Sequence, residues 1–335
     1  MNRLRILWKS TWFRVTIGTL ISIVFLVLAF KDVQLSDVVQ ALARVNYAWI
    51  LVAILAMLLQ SWLRALRWIP LYYPMQQGLR VGQMFGIVLI SQMLNIVVPW
   101  RVGELARIYL MGEIEKRSKA QTLATLGVEK IFDTLMLLLL LLLIPLMMTL
   151  PAWLESPREG IVSLTIVLFV GAFGLMIARE RVAQWLAHVY VPWSQKSVGE
   201  LLHLAIGSLD VLKRWDLHLW LQLLSVIMWL IGIIVNYFVF LSMNLDLPWV
   251  SAFLLMAVLM VGGIAPSAPG KLGVFQYLCI LTLGLFGVDQ SIGLTYGILL
   301  YLVAYGTPMV GGVVALWWNG VNLRRITSAN EPVSQ

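Results

Sequence analysis

Long apolar runs separated by short basic clusters set the pattern of this chain. Val15–Phe30, Tyr47–Leu63, Ile131–Leu150, Ile161–Ile177, Leu217–Ser242 and Ser291–Trp318 are each apolar enough to predict a membrane-spanning helix. Each is close to the length needed to cross hydrocarbon about 30 Å thick. Two further apolar segments, 81–112 and 250–286, are interrupted in the middle. The first runs from Val81 to Val98 without a charge, then meets Pro99, Arg101, Gly103, Glu104 and Arg107. The second carries Gly262 and Gly263 and then Pro266-Ser-Ala-Pro269-Gly270-Lys271-Leu272-Gly273. Proline removes a backbone donor and glycine loosens the chain, so helix stops at both places. In lipid such a break is tolerated only where protein or water lines the freed backbone groups.

The placement of Lys and Arg orients these segments. They cluster at Arg3–Arg14, Arg64–Arg80, Arg101–Lys119, Arg179–Arg214 and Arg324–Arg325, while the intervening loops hold only Lys31, Arg44 and Arg158. Cytoplasmic loops carry the excess of basic residues. If segment 81–112 dips in from the cytoplasm and returns, and segment 250–286 dips from the other side, every basic cluster falls on one face. Both termini are then cytoplasmic. The expected fold is an all-α integral membrane protein with six full spans and two re-entrant or broken-helix hairpins. The halves 11–150 and 161–320 form an inverted-topology repeat, an arrangement that suits transporters whose broken helices meet near the midplane. The alternative is eight full spans, because eighteen helical residues rise about 27 Å.

Composition supports the membrane reading. Hydrophobic residues make up 61% and charged residues 12%, against roughly 25% charged in soluble domains. Segment 178–216 alternates Trp185, Leu186, Val189, Leu201 and Leu209 with charges, the pattern of amphipathic helices on the cytoplasmic interface. Residues 321–335 read as a polar cytoplasmic tail, making 1–320 a single transmembrane domain. Several tryptophans near span ends, Trp49, Trp62, Trp68, Trp153, Trp249, Trp317 and Trp318, fit interfacial belts. The net charge of +8 is accounted for by this topology, which leaves no call for a nucleic-acid partner. One cysteine, Cys279, and three histidines at unrelated spacings offer no metal site, and no nucleotide or hydrolase motif is present. No cofactor and no enzymatic activity are expected.

Charge inside a membrane is costly enough to suggest function. If helix restarts after Pro99, its N-terminus and Arg101 present positive charge to an anion. Glu104, one turn from Arg101 and Arg107, can balance either, or the three form a structural ion-pair set. Asn95, one turn before Pro99, serves either the site or the freed backbone. Glu129, Lys130 and Asp133 open the Leu-rich span. Glu129 and Asp133 share a helix face, so they require a nearby cation or a proton, with Arg101 and Arg107 as candidates, unless they form a solvated helix end. Arg64 and Arg67 either snorkel to headgroups or recruit phosphate bidentately. In the second interruption Lys271, flanked by Pro269, Gly270 and Gly273, either holds an anionic headgroup above a helix N-terminus or lies at the membrane surface.

At these motifs the chain resembles the transmembrane domain of lysylphosphatidylglycerol synthase, the flippase-like domain. The resemblance covers roughly residues 11–320. It rests on R-x-x-R-W at Arg64–Trp68, N-x-x-x-P-x-R-x-G-E-x-x-R at Asn95–Arg107, E-[RK]-x-x-D at Glu129–Asp133 and P-G-x-L-G-x-F at Pro269–Phe275. It implies a bacterial inner-membrane protein that moves an anionic phospholipid or lipid-linked headgroup between leaflets. The alternative is a non-transporting partner that presents lipid to a separate lipid-modifying enzyme. The aminoacyl-transferase domain of bifunctional members is not in this sequence. Two departures stand out: the family usually has a second glycine where Lys271 stands and an acid where Gln276 stands. One adds a charge and the other removes one.

Overall fold

The computed structural model describes residues 11–31, 33–74, 76–98, 102–147, 215–263 and 268–319, together with 160, 162, 163, 166, 167, 170, 171 and 174. Among them there is helix and no strand. The helices are α1 (Thr11–Phe30), α2 (Leu35–Ala43), α3 (Tyr47–Trp68), α4 (Val81–Val97), α5 (Val102–Ile114) and α6 (Lys119–Met147). They continue as α7 (Trp215–Ser242), α8 (Trp249–Gly262), α9 (Val274–Gly284), α10 (Gln290–Tyr301) and α11 (Thr307–Trp318). Pro70–Tyr72 and Pro269–Lys271 are single tight turns, and a π-helical turn, Leu302–Gly306, joins α10 to α11. The amphipathic segment expected at 178–216 lies outside the described residues except for Trp215 and Asp216, which open α7; the tail 321–335 and Pro99, Trp100 and Arg101 also lie outside them.

Among the described residues three stretches are long and apolar enough to cross a membrane: Tyr47–Tyr72, Leu219–Ser242 and Gln290–Trp318. Gly18–Phe30 with α2 would make a fourth if counted as one bent span, the two parts meeting at 81°. The chain is thus a multi-pass, all-helical membrane protein. In the interrupted segments α4 ends at Val97 and α5 begins at Val102, while α8 ends at Gly262 and the Pro269–Lys271 turn precedes α9. α4 has 17 residues and α8 has 14, rising about 26 Å and about 21 Å, both short of hydrocarbon about 30 Å thick.

The chain divides into two compact units. The first comprises residues 1–58, 94–101 and 231–308; the second comprises 59–93, 102–230 and 309–335.

In the first unit α9 packs on α1, α8 and α10, and α10 packs on α2. Small residues let these helices approach. A Cβ on Gly297 would lie 3.2 Å from the Gln276 Cα, and one on Gly293 would lie 3.3 Å from the Ile280 Cα. In lipid there is no hydrophobic drive between helices, so this close packing supplies much of the adhesion. Polar groups are tied internally: the Tyr296 hydroxyl donates to the Asn236 carbonyl at 3.0 Å, and Asn236 Nδ2 donates to the Ala252 carbonyl at 3.3 Å.

In the second unit α11 lies on α4 through Gly311 and Gly312. A Cβ on Gly312 would meet Met93 Cβ at 2.5 Å and the Leu89 carbonyl at 2.9 Å. α5 packs on α6, and the Pro70–Tyr72 turn also rests on α6. α6 starts twelve residues before the apolar run expected at Ile131. Its charged first half is therefore continuous helix, not a loop leading into a span.

Candidate functional site

Three helices of the second unit bring ionisable side chains to one place, and a fourth adds a hydroxyl. Arg64 and Arg67 stand one turn apart near the end of α3. Arg107 comes from α5, and Glu129 and Asp133, one turn apart, come from α6. Arg67 Nη2 lies 2.8 Å from Asp133 Oδ1 and 3.5 Å from Glu129 Oε1. Arg64 Nη1 lies 3.2 Å from Glu129 Oε1 and 3.7 Å from Asp133 Oδ2. Arg107 Nη2 approaches Glu129 Oε2 at 3.0 Å as an ion pair, and its Nη1 donates to Oε1 at 3.4 Å. α7 adds Ser225, whose hydroxyl accepts from Arg67 Nη1 at 3.0 Å.

Burial grades across this cluster. The side chains of Arg67 and Glu129 are each 2% exposed and that of Arg107 is 6%, whereas Arg64 reaches 27% and Asp133 22%. The cluster thus has a closed floor and a half-open edge. Three guanidiniums around one carboxylate favour its charged form over the acid. Among the described residues of the cluster three guanidiniums face two carboxylates, one positive charge more than those acids balance. The Nε groups of Arg64 and Arg107 are buried without a hydrogen-bond partner among the described residues. Glu104 and Lys130 lie alongside as a separate pair at 2.7 Å, with side chains 30% and 49% exposed.

A second layer fixes the floor. The Arg107 guanidinium carbon sits 3.8 Å from the centroid of the Trp68 ring. The Trp68 Nε1–H donates to Thr125 Oγ1 at 3.0 Å, and the Tyr72 hydroxyl donates to Thr122 Oγ1 at 2.9 Å. Both threonines are on α6, Thr125 one turn and Thr122 two turns before Glu129, and Trp68 and Tyr72 are fully buried. The aromatic pair therefore registers the α3 end against α6, and with it the two arginines.

Several expectations are revised by this geometry. Glu104 pairs with Lys130 and not with Arg107, because Arg107 points to the buried side of α5, where Trp68 and Glu129 hold it. Arg67 does not snorkel to headgroups: its charge is engaged by Asp133, Glu129 and Ser225. Glu129 is not a solvated helix end. Trp68 belongs to no interfacial belt, since it is buried under Arg107. Ser225, Thr122, Thr125 and Tyr72 were not anticipated; such residues are common on helix faces, and only the assembled unit shows which matter.

The remaining candidates belong to the first unit. Asn95 is half-buried near the end of α4. Pro269, Gly270 and Lys271 form the turn before α9. Gly270 and Gly273 have φ of 73° and 83°, conformations that favour glycine. A Cβ on Gly270 would lie 2.7 Å from the Tyr301 hydroxyl and 3.8 Å from the Ile96 carbonyl. This turn thus comes within contact distance of the last turn of α4, three residues before Pro99. Gln276 Oε1 accepts from the Gly273 N–H at 2.8 Å and caps α9. An acid there would supply the same acceptor, so the amide removes a charge and keeps the cap. Lys271 is not placed over a helix N-terminus. A Cβ on Gly263 would fall 2.5 Å from its Nζ, which puts the ammonium at the C-terminal end of α8, where carbonyl dipoles favour a cation.

Among the described residues no cluster of His, Cys, Asp and Glu could hold a metal ion. The family model of the lysylphosphatidylglycerol synthase TM region matches residues 15–312. The UPF0104 membrane protein MJ1595 of Methanocaldococcus jannaschii is 20% identical over 315 residues, covering 90% of this chain and 94% of its own. A second protein of that organism, the UPF0104 membrane protein MJ1078, is 27% identical over 231 residues, covering 67% of this chain and 93% of its own. No solved structure matches the chain. Apolar helices, broken segments and a buried charge cluster thus accompany a match spanning nearly the whole sequence, and the chain belongs to the lysylphosphatidylglycerol synthase transmembrane-region family.

Proposed function

We propose that the protein moves an anionic lipid, or a lipid-linked anionic headgroup, between the leaflets of the membrane. Family membership supports a role connected with membrane lipids. The observation that carries the finer reading is the unbalanced charge of the Arg64, Arg67, Arg107, Glu129 and Asp133 cluster. Surplus positive charge in a low-dielectric setting favours a further anionic partner, even where each guanidinium already shares a carboxylate. A lipid phosphate can supply bidentate acceptors to a planar guanidinium. Arg64, at the half-exposed edge, is the residue through which such a group enters. Arg67 and Arg107, fixed by Ser225 and Trp68, hold the floor still while the headgroup binds. Asp133 competes with the headgroup for Arg64 and Arg67, so binding is reversible and not a trap. The protein's own residues perform recognition and exchange of charge partners, with no bond made or broken.

Reconstitution tests this. Proteoliposomes containing phosphatidylglycerol with a headgroup-side fluorophore report transfer through loss of protection from a membrane-impermeant quencher. The protein accelerates transfer, and Arg64→Gln slows it by on the order of tenfold, the equivalent of one weak charged contact. A folded wild-type protein that leaves the rate at the level of empty vesicles, and co-purifies with a lipid-modifying enzyme, would replace transport with lipid presentation.

A further inference from the structure

The first unit contains a cavity that plays no part in the charge cluster. Its volume is about 250 Å³, and it is lined by Leu26 and Phe30 of α1, Leu272 of the turn, and Leu294, Ile298 and Leu302 of the α10 region. Its lining is almost wholly apolar. Gln276 also borders it, but the side-chain oxygen is already engaged by the Gly273 N–H. The floor is built by close approach: a Cβ on Gly273 would come 2.5 Å from the Ser22 carbonyl. The Ser22 hydroxyl also accepts from the Ala268 N–H at 2.9 Å. Tyr301 forms part of the wall, stacked on Tyr305 at 4.5 Å with Phe275 edge-on at 5.6 Å.

The rim identifies what fills it. Leu26, Phe30, Leu272 and Leu302 are 39%, 42%, 46% and 59% exposed. In a membrane protein such residues face hydrocarbon, so the mouth opens onto lipid. Pockets for drug-sized ligands occupy roughly 300–1,000 Å³, so this one is sized for a slender chain and not for a whole headgroup. Packing alone distinguishes it weakly from bulk lipid, because in hydrocarbon there is no hydrophobic gain. A charge supplies the rest: Lys31, exposed, follows Phe30 directly at the end of α1. Its backbone is anchored, since Gln290 Nε2 donates to the Lys31 carbonyl at 2.6 Å.

We propose that this groove holds one acyl chain of an anionic bilayer phospholipid, whose phosphate lies beside Lys31. The π-helical turn at Leu302–Gly306 widens α10 at the wall where the chain lies, and such turns recur at functional places in helices. The site depends on the chain being embedded in lipid and not on leaflet transfer.

The test uses full-length protein in proteoliposomes with phosphatidylglycerol or phosphatidylcholine carrying the same diazirine-tagged acyl chain. After irradiation, adducts are mapped by peptide mass spectrometry. Adducts concentrate at residues 26–30 and 294–302, with phosphatidylglycerol exceeding phosphatidylcholine. Leu272→Trp, at an exposed rim position that spares the core, and Ile298→Phe, which narrows the groove, each reduce them severalfold. Lys31→Gln removes the excess for phosphatidylglycerol and leaves phosphatidylcholine adducts unchanged. Equal labelling at outward-facing Val310 and Val313, or labelling unaffected by both groove variants, overturns the proposal. Transfer measured on the same samples separates the two readings. Adducts without transfer remove transport and leave the groove; transfer without adducts removes the groove alone.

Discussion

Arg107 stacks its guanidinium carbon 3.8 Å from the centroid of the Trp68 ring. A cation over an indole face is attracted by the ring quadrupole, more strongly when water is excluded. The contact leaves the edge of the guanidinium turned to Glu129, so one aromatic ring decides which acid the arginine serves.

Arg107→Ala is expected to destabilise the protein by about 3 kcal/mol, because it takes the partner from Glu129 Oε2 in a buried ion-pair network and opens space over Trp68. Thermal unfolding in detergent measures it. The double substitution with Glu129→Gln should recover part of the loss; strict additivity of the two single variants would show that the pair is not coupled.

Glu104→Gln and Lys130→Gln, by contrast, should each change stability by less than about 1 kcal/mol, since half-exposed ion pairs contribute little. The same melting experiment checks this. A large effect would mean that the outer pair is part of the buried network.

Gly273→Ala should be severe. Its φ of 83° disfavours a side chain, and the new Cβ would meet the Ser22 carbonyl at 2.5 Å. Gly284→Ala, with nothing within 4 Å of its Cβ, is the matched control and should be neutral or slightly stabilising in a helix. Yield of monodisperse protein and unfolding midpoint report both.

Gln276→Glu should keep the fold, because a carboxylate can accept from the Gly273 N–H as the amide does. Gln276→Ala should cost about 1 kcal/mol, the usual value of a lost cap. Comparing unfolding midpoints separates cap from charge; equal losses in the two variants would deny the capping role.

Much of this was readable in the chain. The i, i+3 spacing of Arg64 and Arg67 and the i, i+4 spacing of Glu129 and Asp133 place each pair on one helix face without further information. Pro99 and the Pro-Gly turn mark breaks by backbone chemistry alone. The choice of partner was not readable. Glu104 has Arg107 one turn away, yet Lys130, twenty-six positions on, takes it, because side-chain direction is set by what α5 packs against. The location of Lys271 likewise depends on where α8 ends. α2 was missed although Leu35, Val38, Val39 and Leu42 repeat at i, i+3, i+4 and i+7; a nine-residue helix between polar residues is easily taken for a loop.

Three guanidiniums over two carboxylates carry a consequence for the transport proposed above. A cluster that had released its lipid would keep its surplus positive charge and would draw a counter-ion from its surroundings. Small anions in the bathing solution would then act as placeholders, and chloride would compete with the headgroup at the Arg64 edge.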